Sequence, residues 1–162
     1  MQLDIKIPVN ATKEAIWEII SDYDHMVENI TAITKVDILE RPPQKDSLVG
    51  LKWTETRTMF GSEATETMWV TESDEPNYYQ TRAESHGAIY ISRMYTATDV
   101  NETDGTSINY VGMKFDGQAE SFCSKVMMLT MGWMFVGATK KALLQDLEDI
   151  KALAEKKSGS TS

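Results

Sequence analysis

The chain is predicted to fold as an α+β domain in which a curved antiparallel sheet of about seven strands wraps around one long C-terminal helix. Three observations point there. Apolar residues alternate at Leu3, Ile5, Ile7 and Val9, the period of a strand with one buried face. Six β-rich runs follow one another between Ile33 and Asp116, separated by turn residues, as in a meander. After Gly117 the period changes. Phe122, Val126, Leu129, Trp133, Val136, Leu143, Leu147, Ile150 and Ala154 form a stripe at steps of three and four that only Lys140 interrupts.

The elements follow in order. After the first strand, Asn10 or Thr12 supplies an N-cap oxygen, Glu14 favours a first turn, and Ala15, Ile16, Ile19 and Ile20 recur at helical spacing. Asp22-Tyr23-Asp24 interrupts this helix, and a second short helical piece reaches about Ile30. The pattern is extended again over 33–40 and is ended by Arg41-Pro42-Pro43, where proline forbids helix and ladder alike. Runs 51–60 and 63–72 are joined near Gly61-Ser62, a hairpin signal, and Asp74-Glu75-Pro76-Asn77 makes the next turn. Runs 78–85, 88–100 and 106–116 complete the sheet, separated by His86-Gly87 and by residues 101–105. The helix is expected from about 118 to 157, roughly 60 Å if straight, with Gly132 and Gly137 as places to bend.

Size and charge narrow the function. A chain of 162 residues, 41% of them hydrophobic, supports one domain over 1–157 with a core that needs no disulfide or metal. Ser158-Gly159-Ser160-Thr161-Ser162 is expected to be a disordered tail. Sixteen Lys and Arg face 25 Asp and Glu, a formal charge of −9, which repels phosphate backbones and excludes nucleic acid as a partner. The densest basic spots, Lys140-Lys141 and Lys156-Lys157, share their helix with Asp146, Glu148, Asp149 and Glu155 and are expected on a solvated mixed face.

The lone Cys123 implies a reducing, cytoplasmic setting. The N-terminus lacks a signal-peptide pattern, so the sequons at Asn10, Asn29 and Asn101 are chance matches. The longest charge-free apolar stretch, 126–139, falls short of the roughly 20 residues of a transmembrane segment.

Certain stretches are familiar. They are Ile7-Pro8-Val9-Asn10-Ala11-Thr12-Lys13-Glu14-Ala15-Ile16-Trp17, Asp22-Tyr23, Val49-Gly50-Leu51-Lys52-Trp53-Thr54-Glu55-Thr56-Arg57, Phe60-Gly61 and Val70-Thr71-Glu72-Ser73-Asp74-Glu75-Pro76. With the element order, they make the chain resemble the START-like, birch-pollen-allergen-like (SRPBCC) superfamily, and within it the polyketide cyclase/dehydrase and lipid-transport group, over nearly the whole length through Lys157. The resemblance implies a helix-grip fold with a central cavity. It transfers no catalytic signature, since its members range from lipid carriers to cyclases.

The 51–60 strand has one face of Leu51, Trp53, Glu55, Arg57 and Met59 and another of Lys52, Thr54, Thr56, Thr58 and Phe60. If the Thr/Lys face is solvated, Trp53, Glu55 and Arg57 line the cavity and are joined from the next strand by Glu66 and Met68. An arginine flanked by acids then offers forked donors to a polar ligand head. Equally, the same residues make a surface ladder of ion pairs with the cavity behind them. Tyr79, Tyr95 and Met113 on later strands, and Leu129 and Trp133 on the helix, are the further candidate ligand contacts.

Ten methionines, with Met127, Met128, Met131 and Met134 around Trp133, suit an adaptable apolar pocket or plain core. Met127, Met131 and Met134 lie off the stripe and suggest a second apolar face for a homodimer partner, an opening loop or a membrane. Tyr78, Tyr90 and Tyr110 also carry hydroxyls onto the sheet. His25 and His86 have no second ligand at metal spacing. His86 as a base competes with a solvated turn histidine.

No nucleophile elbow, phosphate loop or dinucleotide fingerprint is present. No cofactor and no metal is expected. The sequence therefore supports a cytoplasmic monomer or homodimer that binds a hydrophobic or amphipathic small molecule. The alternatives are a polyketide cyclase/dehydrase-type enzyme that uses cavity carboxylates and tyrosines as acid and base, and an interaction module whose cavity is filled by its own side chains.

Overall fold

A computed structural model describes residues 1–59, 61–85 and 88–159, with side chains throughout except at residues 85, 119, 122–124 and 126–133. Seven antiparallel strands form one sheet: β1 (Gln2–Val9), β2 (Ile33–Glu40), β3 (Lys52–Met59), β4 (Ser62–Asp74), β5 (Tyr78–Ser85), β6 (Ala88–Val100) and β7 (Ser107–Ala119). Their order is β1-β7-β6-β5-β4-β3-β2, so the meander runs from one edge to β7, which closes against β1 at the other. Two short helices, α1 (Lys13–Ile20) and α2 (Met26–Asn29), with a 3-10 turn at Tyr23–His25 between them, cross from β1 to β2. The long helix α3 (Phe122–Gly159) follows β7.

The alternation in β1 buries Ile5, Ile7 and Val9 and leaves Asp4, Lys6 and Pro8 exposed. The cap of α1 is Thr12, whose hydroxyl oxygen accepts from the Ala15 amide at 3.1 Å. This helix buries Ile16, Trp17 and Ile20. Gly61 turns the β3–β4 hairpin at φ +78°, a conformation with little cost only for glycine. On α3, Leu143, Leu147, Ile150 and Ala154 are buried as the stripe predicts, Val136 is half-buried and Lys140 is exposed. Full burial of a leucine such as Leu147 contributes about 2 kcal/mol.

Four element ends differ from expectation by two residues or more. Strand β7 continues to Ala119, because Gly117, Gln118 and Ala119 pair with Tyr90, Ile89 and Ala88; the ladder with β6 holds the chain extended, and α3 starts at Phe122 rather than 118. Strand β4 runs on to Asp74 and passes a register shift between Val70 and Glu72. Helix α3 takes in Ser158 and Gly159, with Lys157 Nζ bonded to Glu18 Oε2 on α1 near its end. Residues 160–162, and the turn residues His86 and Gly87, lie outside the described residues.

The mixed face of α3 is solvated at Lys140, Lys141, Glu148, Lys156 and Lys157, but three of its acids are engaged. Asp149 Oδ2 accepts the Thr31 amide at 2.8 Å and Glu155 Oε1 accepts the Asn10 amide at 3.0 Å. They fasten the helix to the segments that flank α1 and α2. Asp146 goes further and is buried.

Candidate functional site: a cavity between sheet and helix

The curved sheet and α3 do not close on each other completely. Between them lies a cavity of about 590 Å³, roofed by α3 from Phe135 to Ile150 and bounded by Ile19, Ile20, Met26 and Ile30 from the crossing segment. Its floor comes from alternate residues of the strands: Trp53, Glu55, Arg57 and Met59 on β3, Ala64, Glu66 and Met68 on β4, Tyr79, Thr81 and Ala83 on β5. Tyr90, Ser92 and Met94 on β6 and Met113 and Phe115 on β7 complete it. Each of these five strands contributes every second residue, as the pleat requires. Phe135 and Met134 on α3 are 38% and 51% exposed, so the helix leaves apolar surface at this end.

The β3 face with Glu55 and Arg57 therefore points inward. Arg57 Nε donates to Glu55 Oε1 at 2.8 Å, and its two terminal nitrogens donate to Asp146 Oδ2 at 3.1 and 3.0 Å. Glu55 and Asp146 side chains are each 5% exposed and that of Arg57 is 20% exposed. Trp53 Nε1 reaches Glu55 Oε2 at 3.4 Å. Around this cluster the rings of Tyr23 and Trp53 meet edge to face at 4.6 Å, and Tyr79 lies 5.7 Å from Tyr23. Asp146 Oδ1 is buried with no hydrogen-bond partner among the described residues, and the Tyr23 hydroxyl is buried beside Tyr79.

Burial governs the electrostatics. It raises the Asp146 carboxyl above its ordinary value; Arg57 opposes this, and Glu55 and Asp149 reinforce it. It would lower the Arg57 guanidinium, but Asp146 and Glu55 outweigh it and the net change is upward. Burial also pushes the Tyr79 phenol up to about 12 and that of Tyr23 well above its usual value. Tyr90, stacked on Phe115 at 5.9 Å, is raised by burial and then by Glu66.

Of the sequence candidates, Trp53, Glu55, Arg57, Glu66, Met68, Tyr79 and Met113 are brought together around the cavity. Tyr95 is not, which corrects its assignment as a ligand contact. Its neighbour Met94 takes the inward position, so Tyr95 faces out, donates to Asp4 Oδ1 at 2.8 Å and lies over Gly112, where a Cβ would sit 2.3 Å from its ring. The side chains of Leu129, Trp133, Met127, Met128 and Met131 lie outside the described residues, as does His86. Met134 is exposed. An open cavity also removes the support for a core filled by its own side chains.

The residue that sequence reasoning missed is Asp146. Its signal was position: it stands three residues after Leu143 and four before Ile150, on the edge of the buried stripe. Tyr23 was missed as well, since the interruption of α1 hid its inward direction. Among the described residues no cluster of three or more His, Cys, Asp or Glu is arranged to hold a metal, and no helix is long and apolar enough to cross a membrane.

The model of the family described as polyketide cyclase / dehydrase and lipid transport matches residues 2–155. The chain belongs to that family. The resemblance read from its motifs and its helix-grip fold both stand. Solved structures agree on the fold of this polyketide cyclase/dehydrase and lipid-transport family member. A protein of Thermus thermophilus superimposes with a TM-score of 0.73 at 8% identity, covering 95% of this chain and 97% of that one. The Zhui aromatase/cyclase of a Streptomyces species gives 0.68 at 16% identity, covering 96% and 94%. A ginseng major latex-like protein from Panax ginseng gives 0.63 at 18% identity, covering 94% and 95%. Comparison with curated protein sequences finds no match.

Proposed function

We propose that this family member binds a hydrophobic or amphipathic small molecule in the cavity between sheet and α3, as a carrier or sensor. One observation carries the reading: about 590 Å³ of cavity with a mainly apolar wall on which Glu55, Arg57 and Asp146 are bonded to one another. That size and composition match ordinary small-molecule sites. Binding comes from apolar burial, at about 25 cal/mol per Å² removed from water, and orientation from the Glu55, Arg57, Asp146, Tyr23 and Tyr79 groups. A single domain over 1–157, a cytoplasmic setting and a monomer or homodimer go with this reading.

The test is native mass spectrometry of protein purified from its own host, followed by denaturing extraction. A stoichiometric apolar passenger is the expected result; an empty protein that also ignores a broad apolar panel overturns the proposal.

A second reading, a cyclase or dehydrase, is favoured by the two phenols of Tyr23 and Tyr79 and the buried Glu55 and Asp146 carboxyls, which line the same cavity, a set of the residue types that donate and accept protons. With the extracted passenger as substrate, turnover lost in Glu55→Gln or Asp146→Asn while binding persists would establish it. Unchanged turnover in both would remove these acids from any chemistry.

A further inference from the structure

The polar end of the cavity also has a chemical preference. Resting on the binding reading above, we propose that the ligand presents an uncharged hydroxyl to the Arg57 cluster and that the cavity refuses an anionic head. Arg57 is the one Lys or Arg side chain lining the cavity among the described residues, and Met1, which also lines it, gives its ammonium to the Gly117 carbonyl at 2.7 Å, whereas Glu55 and Asp146 both face Arg57 there.

The guanidinium is already engaged. Of its five N–H groups, one goes to Glu55 at 2.8 Å and two go to the same Asp146 oxygen at 3.1 and 3.0 Å. Neither forked edge is left whole for a carboxylate or phosphate, whose bidentate recognition by arginine needs a free pair of parallel donors. An arriving anion would instead stand beside two nearly dry carboxylates, where like charges repel strongly.

The same cluster lacks a partner of another kind. Asp146 Oδ1 is a buried acceptor with no donor among the described residues. Buried polar atoms are nearly always paired, so a ligand donor that reaches this oxygen completes the cluster. A hydroxyl donates once and accepts twice. It can serve an acceptor-rich cluster, take an N–H that Arg57 still holds, and bring no charge.

The full chain is loaded with N-phenyl-1-naphthylamine, an uncharged dye, which is displaced at neutral pH by decanol, by decanoate and by methyl decanoate. The ester is uncharged but has no donor. Decanol is expected to displace the dye at about tenfold lower concentration than the more apolar ester, and decanoate to be the weakest of the three. Glu55→Gln and Asp146→Asn, each compared by its own decanol-to-decanoate ratio, are expected to narrow that ratio about tenfold by removing one like charge.

Decanoate equal to decanol, or the ester equal to decanol, overturns the proposal on the wild-type protein alone, whatever the variants do. A ratio unchanged in both folded variants overturns the charge argument. Failure of the dye and all three probes to bind instead strikes the binding reading itself, so the two failures are distinguishable.

Discussion

Arg57 and Arg93 stand on opposite faces of the same sheet, and each meets a glutamate at 2.8 Å. Inside, the two acids that hold Arg57 are 5% exposed. Outside, Arg93 is 35% exposed, its Glu72 partner is 48% exposed, Gln80 Oε1 shares its donors, and its guanidinium lies 4.2 Å from the Tyr78 ring centroid. The bond lengths are alike and the energetics are not. Water screens the outer pair and supplies substitutes when a partner is lost, so such pairs contribute little. The inner cluster has given up its hydration, and removing one member strands the others.

That contrast is broken most forcefully at Arg57. Arg57→Met leaves Glu55 and Asp146 facing each other without a counter-charge, and is expected to cost about 3–5 kcal/mol in urea unfolding at neutral pH. Part of the loss should return in mild acid, where one carboxyl takes up a proton. A loss no larger than that at Arg93 would show the cluster to be hydrated in solution.

The outer face is nevertheless sensitive where it is packed rather than charged. In Gly112→Ala the new methyl meets the Tyr95 ring, 2.3 Å away in the present geometry. Overpacking of this kind costs about 1–3 kcal/mol, and thermal melts of Gly112→Ala with and without Tyr95→Ala should show the second change relieving the first.

A smaller effect separates the inner acid by pH. The folded value of Asp146 is raised above the ordinary 3.8, so the folded protein holds this proton more tightly than the open chain does. The stability from this group is fully present below 3.8 and is lost as pH rises through the folded value. A tenfold difference in proton affinity corresponds to about 1.4 kcal/mol. Asp146→Asn abolishes that slope, and denaturant midpoints from mildly acidic to neutral pH should gain on the wild type as pH rises. Parallel curves for the two proteins would assign the shift to some other group.

The least effect is expected at Arg93→Ala, about 0.5 kcal/mol and weaker still in high salt. A salt-insensitive loss would point to its contact with Tyr78 instead of its charge.

Most of the architecture was legible along the chain, for reasons visible in particular residues. Ile5, Ile7 and Val9 alternate because β1 buries one face. Leu143, Leu147, Ile150 and Ala154 keep helical spacing because α3 buries one side. Thr12, Gly61 and Pro42-Pro43 mark ends and turns through local chemistry. The site was legible in part. Both faces of β3 had a sensible partner, so its parity alone left the direction of Arg57 open until the sheet's curvature chose the inner side.

Local information by itself determined the strands, the helices, their order and the family, because hydrophobic period, capping and turn residues act within a few positions of one another. Tertiary structure alone decided three other matters. It placed Asp146, 89 positions along the chain, on Arg57. It turned Tyr95 outward onto Gly112. It left a cavity open where sheet and helix do not meet. Each depends on which surfaces face each other at long sequence separation, and burial there changes the weight of a charge that in the sequence looks like any other on a helix face.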